Sequence, residues 1–397
     1  MRKAIALALV VAVAGAAAAT ALAKPAARSA TSRAAALSCG STLKLGVVTP
    51  LTGGAGFLGQ EQLTWIKYAA ATLAKPLGLK IQLVQQDTPV EQGAAVAQTA
   101  AQKLVADKSV VAVIGPSTSG AVAASTQTYF QAGMAHISPS ATRVDLTYTV
   151  GGTKEGTPAF FRVVPADNIQ GPSDAAFMVN TLHVKKVVIF DFQEPYSQGL
   201  AAQVDTYLKA HGVSTSRLSA PNTTTDYSSY VTKVPSDADV VFFPTQKPGD
   251  AQTVAEQLVL QGKQAVVFGG DGSNDPSQFK KAGSYVSNFA PDITGIAADA
   301  SIIAGWKKAN PGKQVGSFGP PSYLATQVAL NAIKLACIKG HGSLSARSDV
   351  FHQVKKVKIA NSILGGNFRW STKTNDPLNA KFYIFQIQKD GSYKLVA

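Results

Sequence analysis

The segment from Val110 to Thr142 constrains the fold more than any other part of the chain. An apolar run, Val110-Val111-Ala112-Val113-Ile114, breaks into Gly115-Pro116-Ser117-Thr118-Ser119-Gly120. A helix-like stretch follows to Gly133. Then come a short apolar run, Met134-Ala135-His136-Ile137, and a second hydroxyl-rich turn, Ser138-Pro139-Ser140-Ala141-Thr142. Strand, turn, helix, strand, turn is the order of a parallel βαβ unit. Both strands then run the same way, so both turns fall at one edge of the sheet. Open α/β sheets bind ligands at that carboxyl edge. Ser119 is placed to cap the helix that follows it, leaving N–H groups and a positive dipole end suited to one carboxylate. One Ser or Thr in such a turn is equally an ordinary cap. Two such turns on neighbouring strands point to a small-ligand site.

The alternation runs through most of the chain. It predicts strands over 43–48 and 80–85 and helices over 60–74 and 92–106, ahead of the βαβ unit. After Phe160-Phe161-Arg162-Val163-Val164-Pro165 it restarts: helix 173–182, strand 186–190, helix 197–210, strand 238–243, helix 249–261 and strand 265–268. Such alternation argues for parallel sheets covered by helices. Residues 41–397 are too many for one ordinary compact core. The restart predicts an α/β chain of two similar lobes, each a mostly parallel sheet flanked by helices. The expected division is 41–164 plus 293–365 for the first lobe and 165–292 plus 366–397 for the second.

The N-terminus sets the expected compartment. Arg2-Lys3 precede an Ala-dominated apolar run from Ala4 to Leu22, and Ala21-Leu22-Ala23 fits a small-x-small cleavage site. Residues 1–23 read as a secretory signal peptide, and 24–40 as a flexible Ala/Ser/Arg leader. The net charge of +14 falls to +9 without the five basic residues of that region. The remaining lysines are scattered, with one denser run at Lys355-Lys356-Val357-Lys358. No long basic block interleaves with aromatics, so a nucleic-acid partner is not expected.

Signals for catalysis are weak. Gly54-Ala55-Gly56-Phe57-Leu58-Gly59 matches GxGxxG, but Thr49-Pro50-Leu51-Thr52-Gly53 separates it from the strand, and the next plausible ribose acid, Asp87, is 28 residues beyond Gly59 rather than about 20. These glycines read as a flexible loop at a cleft mouth. The histidines lack metal-ligand spacing, and no GxSxG elbow exists. An enzyme, a metal and a cofactor are not expected.

Several short segments carry a resemblance. They are Leu43-Lys44-Leu45-Gly46-Val47-Val48-Thr49-Pro50-Leu51-Thr52-Gly53, Val113-Ile114-Gly115-Pro116 and Ile137-Ser138-Pro139-Ser140-Ala141-Thr142. Pro195-Tyr196-Ser197-Gln198-Gly199 and Gly270-Asp271-Gly272 complete the set. In this order and spacing the chain resembles the periplasmic branched-chain amino-acid-binding proteins of ABC importers, with a type I periplasmic-binding fold. The resemblance implies two lobes on a multi-strand hinge, closing like a flytrap. It implies that Ser119 and Thr142 meet an amino acid's carboxylate and that the Ser140 carbonyl helps hold the ammonium. Asp271 would complete the charge pairing, and Tyr196 would close over the ligand. Leu58 and Gln246 stand where the family often carries Tyr, and both would alter the pocket wall. A membrane permease is the implied partner of a monomeric, exported protein. Urea or short amides as ligands, and a sensory role, stay open alternatives.

The bare residues agree with that reading. Asp271 follows Val266-Val267-Phe268-Gly269-Gly270, which puts its carboxylate at a strand's carboxyl end. A carboxylate opposite hydroxyls and N–H groups suits a zwitterion, because buried charges need partners. Two cysteines in an exported chain suggest one disulfide, Cys39 to Cys337. The first strand and the helix 323–339 should share a lobe, which brings the two Cα atoms within about 7 Å. A lipoprotein anchor at Cys39 fits poorly, because Leu37 is two residues before it rather than three.

Overall fold

A computed structural model describes residues 36–150, 156–378 and 380–397. The expected signal peptide and most of the expected leader lie outside them. Leu37–Ser38 (β1), at the leader's expected end, pairs antiparallel with Ser343–Leu344 (β12).

The first sheet has five parallel strands. They are Thr42–Thr49 (β2), Lys80–Asp87 (β3), Val110–Ile114 (β4), His136–Ser138 (β5) and Phe160–Arg162 (β6), in the order β3-β2-β4-β5-β6. The order turns back on either side of β2 and β4, so this pair forms a switch point where turns splay apart and leave a crevice. Helices Gly56–Leu73 (α1), Gly93–Ala106 (α2) and Ser119–Gln131 (α3) connect the strands. The five residues of β4 are all buried and apolar, as a central parallel strand requires.

The second sheet has seven strands in the order β14-β13-β11-β10-β9-β7-β8. Lys186–Phe192 (β7), Ser214–Ala220 (β8), Val240–Phe242 (β9), Val266–Gly269 (β10) and Tyr285–Asn288 (β11) are parallel. Tyr383–Ile387 (β13) and Tyr393–Leu395 (β14) add an antiparallel edge. Asp167–Asn180 (α4), Pro195–Ala210 (α5), Ser228–Thr232 (α6) and Pro248–Leu260 (α7) accompany this sheet.

The chain then returns. Ala300–Ala309 (α8), Gly319–Lys339 (α9) and Ser348–Val354 (α10) pack on the first sheet, with α9 against α1, β4 and β5. Phe368 and Trp370 also belong to this core. The backbone therefore passes between the sheets three times: after β6, after β11 and before β13. The two sheets and the repeated crossings match the two-lobed expectation. Among the described residues, no helix is long and apolar enough to cross a membrane.

Cys39 and Cys337 form a disulfide with their Cα atoms 6.0 Å apart, within the reach expected. Cys337 lies in the last turn of α9, and the bond fastens that helix to the chain entering β2.

Candidate functional site

The first lobe contributes the two turns. The helix α3 starts at Ser119, but its cap is Thr118, whose Oγ1 accepts the Ala121 N–H at 3.4 Å. Ser119 was expected to be the cap. The one-residue shift frees its hydroxyl from the helix end, and it instead accepts the Arg143 N–H at 3.3 Å. In the second turn, Ser138 Oγ accepts the Ala141 N–H at 2.9 Å. Ser140 Oγ donates to the Ser117 carbonyl at 2.6 Å, while the Ser140 carbonyl accepts nothing among the described residues. Thr142 is wholly buried, and its carbonyl accepts the Asp167 N–H at 2.8 Å from the other lobe. Its hydroxyl has no hydrogen-bond partner among the described residues.

Gln62 holds these turns in place, and the sequence reading missed it. Its Oε1 accepts Thr49 Oγ1 at 2.8 Å and Ser117 Oγ at 2.6 Å, and its Nε2 donates to Ser140 Oγ at 2.8 Å. One fully buried amide thus ties together the ends of β2, β4 and β5. A signal was present, because Gln62 interrupts the apolar face of α1 formed by Leu58, Trp65, Ile66 and Ala69.

The second lobe contributes acids. Asp271 is buried just beyond β10, and its Oδ1 accepts the Tyr196 hydroxyl at 2.9 Å. Tyr196 in turn accepts the Gly272 N–H at 3.1 Å. Tyr196 was expected to close over a ligand. It sits instead in the second lobe's core and presents only its hydroxyl. Burial pushes Asp271 up to about 6, against the pull of the Tyr196 hydrogen bond.

Asp167, the first residue of α4, was not foreseen. Both of its carboxylate oxygens are buried without a hydrogen-bond partner among the described residues. Thr142 is its neighbour across the cleft, but the two form no side-chain hydrogen bond of normal geometry. Burial and the charge of Asp271 push Asp167 up to about 8, against weaker pulls from Thr142 and Arg162. Asp174, one further turn pair along α4, is also held well above the usual carboxylate range by burial, although Ser287 Oγ donates to it at 2.9 Å. Among the described residues, none of these three carboxylates has an ion-pair partner. Buried anions without cations destabilise a site until a cation or a proton arrives.

The lobes meet on both flanks of this cluster. Asn222 Nδ2 donates to the Val90 carbonyl at 3.2 Å on one side. Ser317 Oγ donates to Asn274 Oδ1 at 3.2 Å on the other. The stem of Lys247 packs so closely on Gly54 that an added Cβ would lie 2.6 Å from it. Gly54 therefore allows close approach between the lobes, whereas Gly56 and Gly59, expected in a flexible loop, lie in α1.

Two cavities are lined from both lobes, and neither lining includes Asp167 or Asp271. One of 360 Å³ is lined by Thr118, Gly120 and Ala121 from the first lobe and Glu194, Pro195 and Gln246 from the second. The other, of 520 Å³, is lined by Phe57, Asn274, Trp306 and Ser317 among others. Gln246 lines the first of these cavities. Leu58 lines neither: it is buried in the first lobe's core, and its neighbour Phe57 lines the second cavity. The structure brings together Ser119, Ser140, Thr142, Tyr196 and Asp271, and it leaves Leu58 out.

One substitution reads the Tyr196–Asp271 bond directly. An added Cβ at Gly270 would lie 2.4 Å from the Tyr196 hydroxyl and 2.8 Å from Leu200 Cδ2, while the backbone, at φ −76°, accepts any residue. Gly270→Ala should displace the hydroxyl and weaken ligand binding by about 1.5–3 kcal/mol, as expected for a lost hydrogen bond to a charged group. Calorimetry showing unchanged affinity would mean that the Tyr196 hydroxyl does not support the site.

Comparison with known proteins agrees with this fold. An amino-acid-binding protein of Pseudomonas aeruginosa is 28% identical over 75% of this chain and 79% of its own length. Among solved structures, a leucine-binding protein of Thermotoga maritima superposes with a TM-score of 0.78 at 21% identity, covering 89% of this chain and 98% of that one. A solute-binding protein of an ABC transporter from Rhodopseudomonas palustris, in complex with benzoate, superposes with a TM-score of 0.77 at 17% identity, covering 90% and 96%. The profile of the periplasmic binding proteins matches residues 42–392, nearly the whole described length. The chain belongs to the periplasmic binding protein family.

Proposed function

We propose that this protein is an extracytoplasmic solute-binding protein that captures an α-amino acid with an aliphatic side chain for an ABC importer. The observation that carries the reading is the two-sided polarity of the cleft. Asp167 and Asp271 lie buried in one lobe without ion partners, opposite the unmet hydroxyl of Thr142 and the start of α3 in the other. An ammonium would neutralise the acids, and a carboxylate would take the Thr142 and Ser119 hydroxyls and the helix N-terminus. A ligand with a carboxylate but no ammonium, such as benzoate, would leave the acids unpaired and repel them. Gln246 and Phe57 are the residues we assign to the pocket wall, in place of Leu58. Binding would favour the closed arrangement, since only there do both lobes touch one ligand.

We assign 41–164 and 293–365 to the first lobe and 165–292 to the second. Phe368, Trp370 and Phe382 pack in the first core, which supports a last crossing at the start of β13 rather than at 366. Export by the N-terminal segment is part of the same reading, and a disulfide suits an oxidising compartment. Delivery to a membrane permease by a single copy of the chain completes it.

Leucine, isoleucine and valine should raise the melting temperature and bind in calorimetry. Leucinamide and 4-methylpentanoate, which lack one charge each, should bind at least tenfold more weakly. Equal binding of 4-methylpentanoate would reject the ammonium site, and equal binding of leucinamide would favour an amide ligand. The acids also set a pH dependence. Their folded values, about 6 for Asp271 and about 8 for Asp167, lie above those of the unfolded chain. The ligand-free protein should therefore lose stability as pH rises from 5 to 8, as protons leave sites that the fold prefers neutral. Amino-acid affinity should rise over the same window, because an ammonium prefers ionised partners. Flat profiles of both would contradict the assignment.

A further inference from the structure

Arg162, at the end of β6, is fully buried, and the candidate ligand set does not include it. Its guanidinium is almost completely committed. Nε donates to Asp376 Oδ1 at 2.7 Å, and one terminal nitrogen donates to the carbonyls of Ala141 at 3.2 Å and Arg143 at 2.8 Å. The other terminal nitrogen donates to Thr147 Oγ1, which itself donates to Asp376 Oδ2 at 3.0 Å. The two carbonyls flank Thr142 on either side. We infer that Arg162 is a positioning residue for the carboxylate-binding turn: it fixes the backbone on both sides of Thr142 and, through Asp376, ties that turn to the segment preceding the last lobe crossing.

The planar fork explains why arginine stands here. Four acceptors in different directions need donors at fixed angles, and a lysine ammonium cannot reach them all from one place. The same charge lies close enough to Asp167 to favour its ionised form. The segment held by Arg162 is also bonded independently, since Asn375 Nδ2 donates to the carbonyls of Pro158 and Phe160, both at 3.0 Å. Loss of Arg162 should loosen the turn more than it loosens the lobe.

This inference rests on the amino-acid reading for its affinity arm alone. The test uses the full mature chain, with Arg162→Lys and Arg162→Gln as variants. In ligand-free protein, hydrogen exchange should quicken at the Ala141, Arg143 and Asp167 amides in both variants and stay slow in β4. Leucine affinity by calorimetry should fall ten- to hundredfold. In Arg162→Gln the rise of affinity with pH should move to higher pH, because Asp167 loses a favourable neighbour. A purely structural role would lower the melting temperature without moving that profile. Unchanged exchange at the three amides would overturn the inference whatever the ligand. Wild-type protein that binds none of leucine, isoleucine or valine would instead reject the functional reading, with the exchange result still deciding the role of Arg162.

Discussion

Replacing Asp271 by Asn should weaken amino-acid binding by about 2–5 kcal/mol, the range for removing one member of a buried charge pair. That corresponds to a loss of roughly 30- to several-thousand-fold in affinity. The direction follows from position. Asp271 is buried, the neutral Tyr196 hydroxyl donates to it, and no cation among the described residues forms an ion pair with it. An amide in its place would leave an ammonium facing a dipole in a desolvated cleft. The same substitution should stabilise the ligand-free protein at pH 8, because it removes a carboxylate that the fold holds up at about 6. Weaker binding together with a higher ligand-free melting temperature would be hard to obtain from a simple folding defect. Calorimetry and thermal melts on one preparation read both. Affinity within twofold of wild type would remove Asp271 from the site.

The disulfide carries the other large effect. It closes a loop of 298 residues. On the chain-entropy model such a link stabilises by roughly 5 kcal/mol at most. For a chain of this size that is about 5–7 °C in melting temperature. Reduction, or Cys337→Ser, should lower the melting point by up to that amount. Leucine affinity should stay within about twofold, because Cys39 and Cys337 lie at the far end of α9 from its start beside Phe318 and the cleft cavity. Two titratable thiols in the denatured, unreduced protein would show that the bond does not form. A large loss of affinity on reduction would show that the end of α9 is coupled to the cleft.

The parts of the fold legible in the sequence are those where burial is two-sided. The strand β4 reads directly because all five of its residues are apolar, and β5 follows from the turn after it. The edge strand β8 is Ser-Thr-Ser-Arg-Leu-Ser-Ala, mostly exposed, with nothing to distinguish it from a loop. The short β14 is hidden in the same way. In the site, the hydroxyl turns and Asp271 were readable because turn chemistry is local. Asp167 was not, because Pro172 lies inside α4 and imitates a helix start, so the helix was expected to begin near 173. Leu58 and Phe57 were exchanged for a different reason. Adjacent helix positions face about 100° apart, and the phase of α1 is set by how Trp65 and Ile66 pack, which a sequence motif does not contain. Gln62 and Arg162 act through contacts far apart in the chain, and their roles exist only once the turns are assembled.

The position of the last third of the chain bears on how this protein matures. The helix α9, from Gly319 to Lys339, fills the space beside α1, β4 and β5, and β13 and β14 finish the second sheet beside β11. A polypeptide threaded N-terminus first through a membrane channel would thus deliver nearly everything before either half could lock. Cys39 would emerge early and wait as a lone thiol for a partner close to the tail. For a chain exported in that way, consolidation and oxidation would both fall late in its passage.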